Sequence, residues 1–228
     1  MKAWTAEEFE ARLREVPAAR YHHRHPFNLR MHAGELRREE IRGWILNRFH
    51  YQRHIPVKDA LILAKLPSSE LRRLWIRRIH DHDGTQAGEG GIERWLRLGE
   101  AAGLGRDLLL SGEGVLPGVR LAVDGYVNLC RLGSPLAAVA ASLTELFAPD
   151  LMRTRIEAFE RHYDWIEPAG LKYFRTRIPQ GAQDSGEALR LVLDWGRDRS
   201  AQEEAVAALA YKCDVLWSLL DAVDGAYR

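Results

Sequence analysis

Several stretches of this chain place ionisable side chains where an amphipathic helix should carry apolar ones. One runs from Arg72 to Gly84. Pro67-Ser68-Ser69-Glu70 is a helix start, and Leu71, Leu74 and Trp75 form an apolar face. Continued at helical spacing, that face reaches Arg78 and His82. The stretch from Glu39 to Ile55 behaves alike: Ile41 and Trp44/Ile45 lead to Arg48, then to Tyr51/Gln52 and Ile55. Near the C-terminus, Val206 and Leu209 are followed by Lys212/Cys213, then Leu216, Leu219/Leu220 and Val223. Tyr173 and Arg177 lie one turn apart on a single face.

An arginine at the edge of a stripe commonly reaches solvent along its own stem, and a single histidine in a seam is usually a satisfied core residue. Four helices repeating the substitution point elsewhere. Unpaired buried cations cost several kcal/mol each. If Arg48, Arg78, Arg177 and Lys212 converge, an anion must sit among them, and Glu145 alone does not balance four cations. A small, multiply anionic ligand, most simply a polycarboxylate, is the physical expectation. His82 is the natural proton-transfer group, because its ordinary pKa lies near neutrality and surrounding cations favour its neutral form. Tyr173 and Tyr126 can exchange hydrogen bonds with ligand oxygens.

The elements that must position these residues read as helices throughout. Thr5-Ala6-Glu7-Glu8 is a capping box opening a helix with Phe9, Leu13 and Val16 inward, ended by Pro17. Arg20 to Pro26 reads as extended, and Phe27 to His32 as a short helix closed near Gly34. The long helix from Glu39 is kinked or broken at Pro56, with Val57 to Leu66 continuing. After the glycine-rich loop Gly84 to Gly91 come Ile92 to Gly103, Arg106 to Leu110 and a helix opened by Pro117. Leu136 to Phe147 is a helix of small residues. Others begin at Pro149, span Pro168 to Ile178 and Glu187 to Trp195, and run from Ala201 to Tyr227. With no alternating strand pattern, internal repeat or linker, residues 1–228 read as one all-α domain, a compact bundle of at least seven helices.

Composition narrows the function classes. A formal net charge of +1 gives no reason to expect a nucleic-acid or membrane partner. No apolar run approaches the roughly 20 residues of a membrane helix, and Met1 to Val16 has no signal-peptide core. Cys130 and Cys213 form neither a disulfide framework nor a zinc pattern, so a reducing cytoplasm is expected. Only five lysines accompany 28 arginines, so a lysine in a helix seam is not background. Glu-x-x-His and His-Glu-x-x-His are absent. His50 and His54, one turn apart, lie off the Arg48/Gln52 face and read as an exterior or interface pair. His80 lies off the Arg78/His82 face and reads as structural.

A set of segments in one order carries a resemblance across nearly the whole chain. They are Tyr21-His22 with the following His-Pro, Gly43-Trp44 to Lys58, Asp81-His82-Asp83-Gly84, Gly90-Gly91-Ile92-Glu93, Leu116-Pro117-Gly118-Val119, and Ser142-Leu143-Thr144-Glu145-Leu146-Phe147-Ala148-Pro149. In these the chain resembles the pyrroloquinoline-quinone synthases. The resemblance implies a haem-oxygenase-like bundle without haem, acting as a homodimer with no metal or organic cofactor. It implies ring closure and oxidation of a tricarboxylated amino-quinone precursor by dioxygen, with release of hydrogen peroxide. By the same resemblance His82, Tyr173, Arg177, His22 and Tyr126 are the expected catalytic residues. Tyr21, Arg48, Gln52, Lys58, Arg78, Thr144, Glu145, Arg155 and Lys212 are the expected substrate contacts, and Pro168 to Ile178 the segment that closes over the ligand. One departure stands out: Met152 occupies a position that is usually histidine, and a thioether cannot transfer a proton. Met152 is expected to line the pocket. Competing readings are a metal-dependent oxygenase, a relative of thiamin-degrading hydrolases using a reactive cysteine, and a non-catalytic quinone-binding module.

Overall fold

The apolar stripes assemble into an all-helical bundle in the computed structural model, which describes residues 2–228. Among the described residues there are eleven α-helices: α1 (Ala6–Arg20), α2 (Pro26–Ala33), α3 (Arg38–Leu63), α4 (Ser69–Asp83), α5 (Gly90–Ala101), α6 (Arg106–Ser111), α7 (Pro117–Leu132), α8 (Pro135–Ala141), α9 (Ala148–His162), α10 (Lys172–Trp195) and α11 (Arg199–Tyr227). Three 3₁₀ segments, His22–Arg24, Ser142–Phe147 and Pro168–Leu171, link them. Among the described residues there is no strand, and no helix is long and apolar enough to cross a membrane.

The helix starts carry the chemistry that orphan N–H groups require. Thr5 and Glu8 exchange the two hydrogen bonds of a capping box. Ser68 Oγ accepts from the Leu71 amide at 3.2 Å, and Ser134 Oγ from Ala137 at 3.0 Å. His25 caps α2 in place of a hydroxyl. Its Nδ1 accepts from the Phe27 amide at 3.0 Å, which leaves Nε2–H for Asp221 Oδ1, also at 3.0 Å.

Pro17, expected to end a helix, and Pro56, expected to kink or break one, both lie within continuous helices, and a third proline bridges two segments expected to be separate. Pro17, Pro56 and Pro179 lie inside α1, α3 and α10. An interior proline costs about 3 kcal/mol through one lost hydrogen bond and a clash with the carbonyl four residues back. At Pro56 and Pro179 buried faces on both sides offset that cost, whereas Pro17 lies in the last turn of α1, with only the exposed Ala18 to Arg20 beyond it. Thus Gln52, Ile55 and Asp59 are buried around Pro56, and Arg177, Gly181 and Asp184 around Pro179. The expected break between Ile178 and Glu187 is therefore absent. Residues 142–147 tighten to 3₁₀ geometry rather than continuing α8, with Ser142 Oγ donating to the Val139 carbonyl at 2.6 Å. His22–Arg24 winds a 3₁₀ turn where extended chain was expected.

Helices α3 and α11 form the spine. α3 packs on α4, α5 and α7, and α11 on α1, α7 and α8. Ala137, Ala138, Ala140 and Ala141 are all buried, so α8 lies close against α11. The apolar residues form one continuous cluster. At its floor Trp44, Trp95, Phe159 and Phe174 interlock, with ring centroids 5.4 to 6.4 Å apart. Trp95 Nε1 is satisfied by the Ile45 carbonyl at 3.0 Å. The site rests on this aromatic floor.

Candidate active site

Above the floor, α3, α4, α9, α10 and the 142–147 segment enclose a cavity of about 60 Å³. Its walls carry ten of the predicted residues: Tyr21, His22, Arg48, Gln52, His82, Thr144, Glu145, Arg155, Tyr173 and Arg177, with Met152 among them as expected. Tyr51, Ile55, Trp95, Ala148 and Leu216 complete the lining. The volume is a few waters' worth, below the roughly 300 Å³ at which ligand pockets begin. Admitting a ligand of ordinary metabolite size requires a wall to move.

His82 is held by its own helix. Its Nδ1 lies 3.0 Å from the Arg78 carbonyl, an acceptor only, so Nδ1 carries the proton and Nε2 presents a lone pair. That Nε2 is buried with no hydrogen-bond partner. Burial, reinforced by the Arg177 guanidinium, lowers its pKa to about 3. The imidazole is neutral at physiological pH and offers an acceptor to the cavity. Beside it, Tyr173 stands edge-on against Trp95 at 4.8 Å and donates its hydroxyl to Gln52 Oε1 at 2.8 Å. A Cβ on Gly91 would meet both the His82 and Tyr173 rings at 3.4 Å, so the glycine-rich loop packs directly behind the pair.

The cations divide into paired and unpaired groups. Arg78 lies over the Trp75 ring at 4.1 Å, donates to Glu145 Oε2 at 2.8 Å and to the Asp184 carbonyl. Glu145 reaches the cavity edge. Burial alone would raise its carboxyl, but Arg78, Lys58 and Arg177 outweigh burial and hold it near 2. The Lys58 ammonium sits 2.6 Å from Asp59 Oδ1, and Asp59 also accepts from Trp75 Nε1 at 3.0 Å. Arg177 lies 3.7 Å from Asp184 Oδ2. Arg48, Arg155 and Lys212 have no carboxylate partner among the described residues. Arg48 stacks on Tyr51 at 4.0 Å with Nη1 unpartnered. Arg155 lies over Trp44 at 4.9 Å, and burial together with Arg48 lowers its pKa to about 9. Lys212 donates to the Tyr51 hydroxyl at 2.7 Å and lies 3.9 Å from the Tyr126 ring centroid. Burial, then Arg48 and Lys58, push its pKa well below the usual lysine value. Six buried basic side chains thus face three carboxylates, Glu145, Asp59 and Asp184, among the described residues.

Four predicted residues stand behind the lining rather than on it. Arg78 is reached through Glu145, Lys58 is held by Asp59, and Tyr126 and Lys212 lie beyond Tyr51. Leu74, placed on the inner face by its spacing, is 42% exposed; the buried line of α4 is Trp75, Arg78 and His82. His80 is exposed, as its position off that line implied. His50 and His54 stack at 4.5 Å away from the cavity.

Sequence reasoning missed Asp184 and Asn28, both buried. Asp184 continues the Tyr173–Arg177–Gly181 face at helical spacing once α10 is unbroken. Asn28 sits beside the inward Phe27 and Met31 of α2, a polar residue in an apolar seam too short to look anomalous. Cys130 and Cys213 are buried, and burial pushes both thiols up to about 11, the reverse of what a reactive cysteine needs. No three His, Cys, Asp or Glu among the described residues cluster so as to hold a metal ion.

The TENA/THI-4/PQQC family matches residues 10–222. The chain is 53% identical over 222 residues to the pyrroloquinoline-quinone synthase of Pseudomonas aeruginosa, covering 97% of this chain and 88% of that protein. It is 48% identical over 227 residues to that of Gluconobacter oxydans, covering 100% and 95%. Among solved structures, a TenA homologue from Pseudomonas syringae superposes with a TM-score of 0.77 at 15% identity, covering 98% of this chain and 94% of that one. A domain of unknown function with a heme oxygenase-like fold from Shewanella denitrificans gives 0.74 at 16% identity, covering 97% and 90%. A haem, which that fold's name implies, needs an apolar slot for its macrocycle; walls carrying Arg48, Arg155, Arg177, Gln52 and Glu145 do not fit one. The chain belongs to the TENA/THI-4/PQQC family and, within it, to the pyrroloquinoline-quinone synthases, enzymes of pyrroloquinoline quinone biosynthesis.

Proposed function

We propose that the protein closes and oxidises the ring system of a tricarboxylated amino-quinone precursor, with dioxygen as electron acceptor and hydrogen peroxide as its reduced product, and with no metal or organic cofactor. The observation that carries this reading is the charge count of the buried site. Arg48, Arg155 and Lys212 lack carboxylate partners, three basic side chains, Lys212 completing its charge as the ligand binds, for a substrate bearing three carboxylates. Its relatives at about half identity bear the corresponding name.

The chemistry asked of the protein is modest. A reduced quinone precursor is electron-rich and passes electrons to dioxygen once it is deprotonated and held in place. His82 Nε2 accepts that proton. Tyr173 and Arg177 face the oxygen and its reduced products. Buried guanidinium groups stabilise negative charge where water is excluded and screening is weak. His22 completes the acid–base set at the cavity wall, and Tyr126, behind Tyr51, acts on it through its neighbours. Tyr21, Gln52, Lys58, Arg78 and Thr144 orient the substrate directly or through their neighbours. The segment Pro168 to Ile178, which carries Tyr173 and Arg177, is the wall that moves to admit the ligand. The protein works as a homodimer.

Anaerobic protein mixed with purified precursor, then exposed to oxygen, should develop quinone absorbance together with peroxide. Absence of any spectral change would reject the reaction. His82→Ala should slow the oxidation by at least about 100-fold; oxidation at the wild-type rate would reject His82 as the base.

A further inference from the structure

We propose that Asn28 fixes the tautomer of His22, so that His22 presents an N–H donor to the cavity in which His82 presents an acceptor. Asn28 is fully buried on α2 and bonded on both ends of its amide. Its Oδ1 accepts from Arg155 Nη2 at 3.1 Å. Its Nδ2 donates to the His22 carbonyl at 2.7 Å and lies 3.3 Å from His22 Nδ1.

The amide has only one workable orientation. A guanidinium has no acceptor, so Arg155 demands oxygen. A backbone carbonyl has no donor, so the His22 carbonyl demands nitrogen. With the amide N–H groups toward His22, Nδ1 of the ring must be unprotonated. Nε2 then carries the proton of the neutral ring, and it is the nitrogen left for the cavity that His22 lines. Protonating Nδ1 would set one donor against another. The surroundings act in the same direction. Burial first, then Arg48 from α3, Arg155 from α9, Lys212 from α11 and His23 from its own segment, disfavour the imidazolium, and Tyr21 packs edge-on against the ring at 4.5 Å. The two site histidines are therefore locked in opposite tautomers by different partners: His82 by the Arg78 carbonyl, His22 by Asn28.

Asn28 is thus a positioning residue rather than a catalytic one. It also holds Arg155, a cation without a carboxylate, through the same amide. Only the consequence for turnover rests on the oxidative reading above. In that reading, His22 Nε2–H donates to a substrate or oxygen-derived anion while His82 removes a proton.

Asn28→Asp tests the inference with nearly unchanged shape. The carboxylate keeps Arg155 and accepts rather than donates at His22, so Nδ1 should become protonated, while the bond to the His22 carbonyl is lost and lowers stability independently of the tautomer. Nitrogen-15 histidine NMR of the full-length protein, with His22 identified by the resonances lost in His22→Gln, reads the tautomer without substrate. Wild type should show His22 Nδ1 bare and Nε2 protonated, and Asn28→Asp should show the reverse. A wild-type ring protonated at Nδ1 would overturn the proposal without any variant. In kinetics, Asn28→Asp should lower kcat on the order of 100-fold with KM within about threefold, and add an acid limb to the pH profile. Equal losses in kcat and melting temperature with an unchanged tautomer would reduce Asn28 to a packing role and sink the idea. Wild-type protein that does not turn over the precursor would overturn the reaction, leaving the tautomer measurement to decide this proposal alone.

Discussion

At the residue scale the site is governed by which buried charges have partners. Asp184 lies 4.0 Å from Arg78 Nε and 3.7 Å from Arg177 Nη1, too far for hydrogen bonds. Burial therefore outweighs the arginines, and Glu145 adds repulsion, so its carboxyl titrates near 6 rather than 3.8. A folded pKa above the unfolded one means that the protonated form is favoured by folding. Its stabilisation is full below about pH 4 and is lost as pH rises through about 6. An asparagine in its place mimics the protonated form at every pH. Relative to wild type, Asp184→Asn should therefore gain on the order of 1–3 kcal/mol between pH 4 and pH 7.5. Urea midpoints of both proteins at the two pH values measure this, and a difference independent of pH would refute it. His82 has the opposite sign. Its pKa of about 3 lies below the unfolded value of 6.5, so the stability it contributes is present above pH 6.5 and is lost as pH falls toward 3.

At the element scale, the glycine-rich loop between α4 and α5 holds the acceptor histidine from behind. Gly90 adopts φ +84°, and a Cβ there would lie 2.4 Å from the His82 carbonyl oxygen and the Gly84 nitrogen, backbone atoms with little freedom to yield. Gly88 has the same φ but open space around it. Gly88→Ala should cost only the left-handed backbone penalty of about 1–2 kcal/mol and keep kcat. Gly90→Ala should lower the melting temperature further and depress kcat by displacing His82. Thermal melts paired with turnover separate the two, and equal behaviour of both variants would show that the loop does not position His82. On the opposite wall, α10 is tied to α4 by Gln180 to Asp81 at 2.8 Å and by Arg77 to Glu187 at 2.5 Å.

At the scale of the whole molecule, the bundle holds six basic side chains, Lys212 among them with a lowered proton affinity, against three carboxylates in and around one small cavity, in a chain whose formal net charge is only +1. A bound tricarboxylate relieves that imbalance, and its charge should raise the proton affinity of Lys212. Binding at pH 8 should be accompanied by proton uptake, visible as a binding enthalpy that changes with the ionisation enthalpy of the buffer. Lys212→Met should abolish most of the uptake; uptake unchanged in that variant would exclude Lys212 as its source. The same ligand should stabilise the fold by about 2.7 kcal/mol at a concentration 100 times its Kd.

The sequence by itself determined the helices and most of the polar residues that face inward, because helical periodicity is local and reports a face without reference to any partner. Arg48, Arg78, His82, Tyr173, Arg177 and Lys212 were legible in this way. Resemblance added Tyr21, His22, Lys58, Thr144 and Arg155, for which periodicity gave no signal of its own. The expected end at Pro17 and the expected gap between Ile178 and Glu187 are absent because the local rule weighs only the backbone; at Pro179, as at Pro56, buried faces on both sides override a cost of about 3 kcal/mol. Reading α10 as broken also hid Asp184. Only the tertiary structure decided which cations are neutralised and which are left for a ligand. Glu145 with Arg78, Asp59 with Lys58, and Asn28 between His22 and Arg155 depend on how the helices meet. Tautomers followed for the same reason: a histidine's proton is placed by the partner it faces, and outside its own turn that partner comes from elsewhere in the fold.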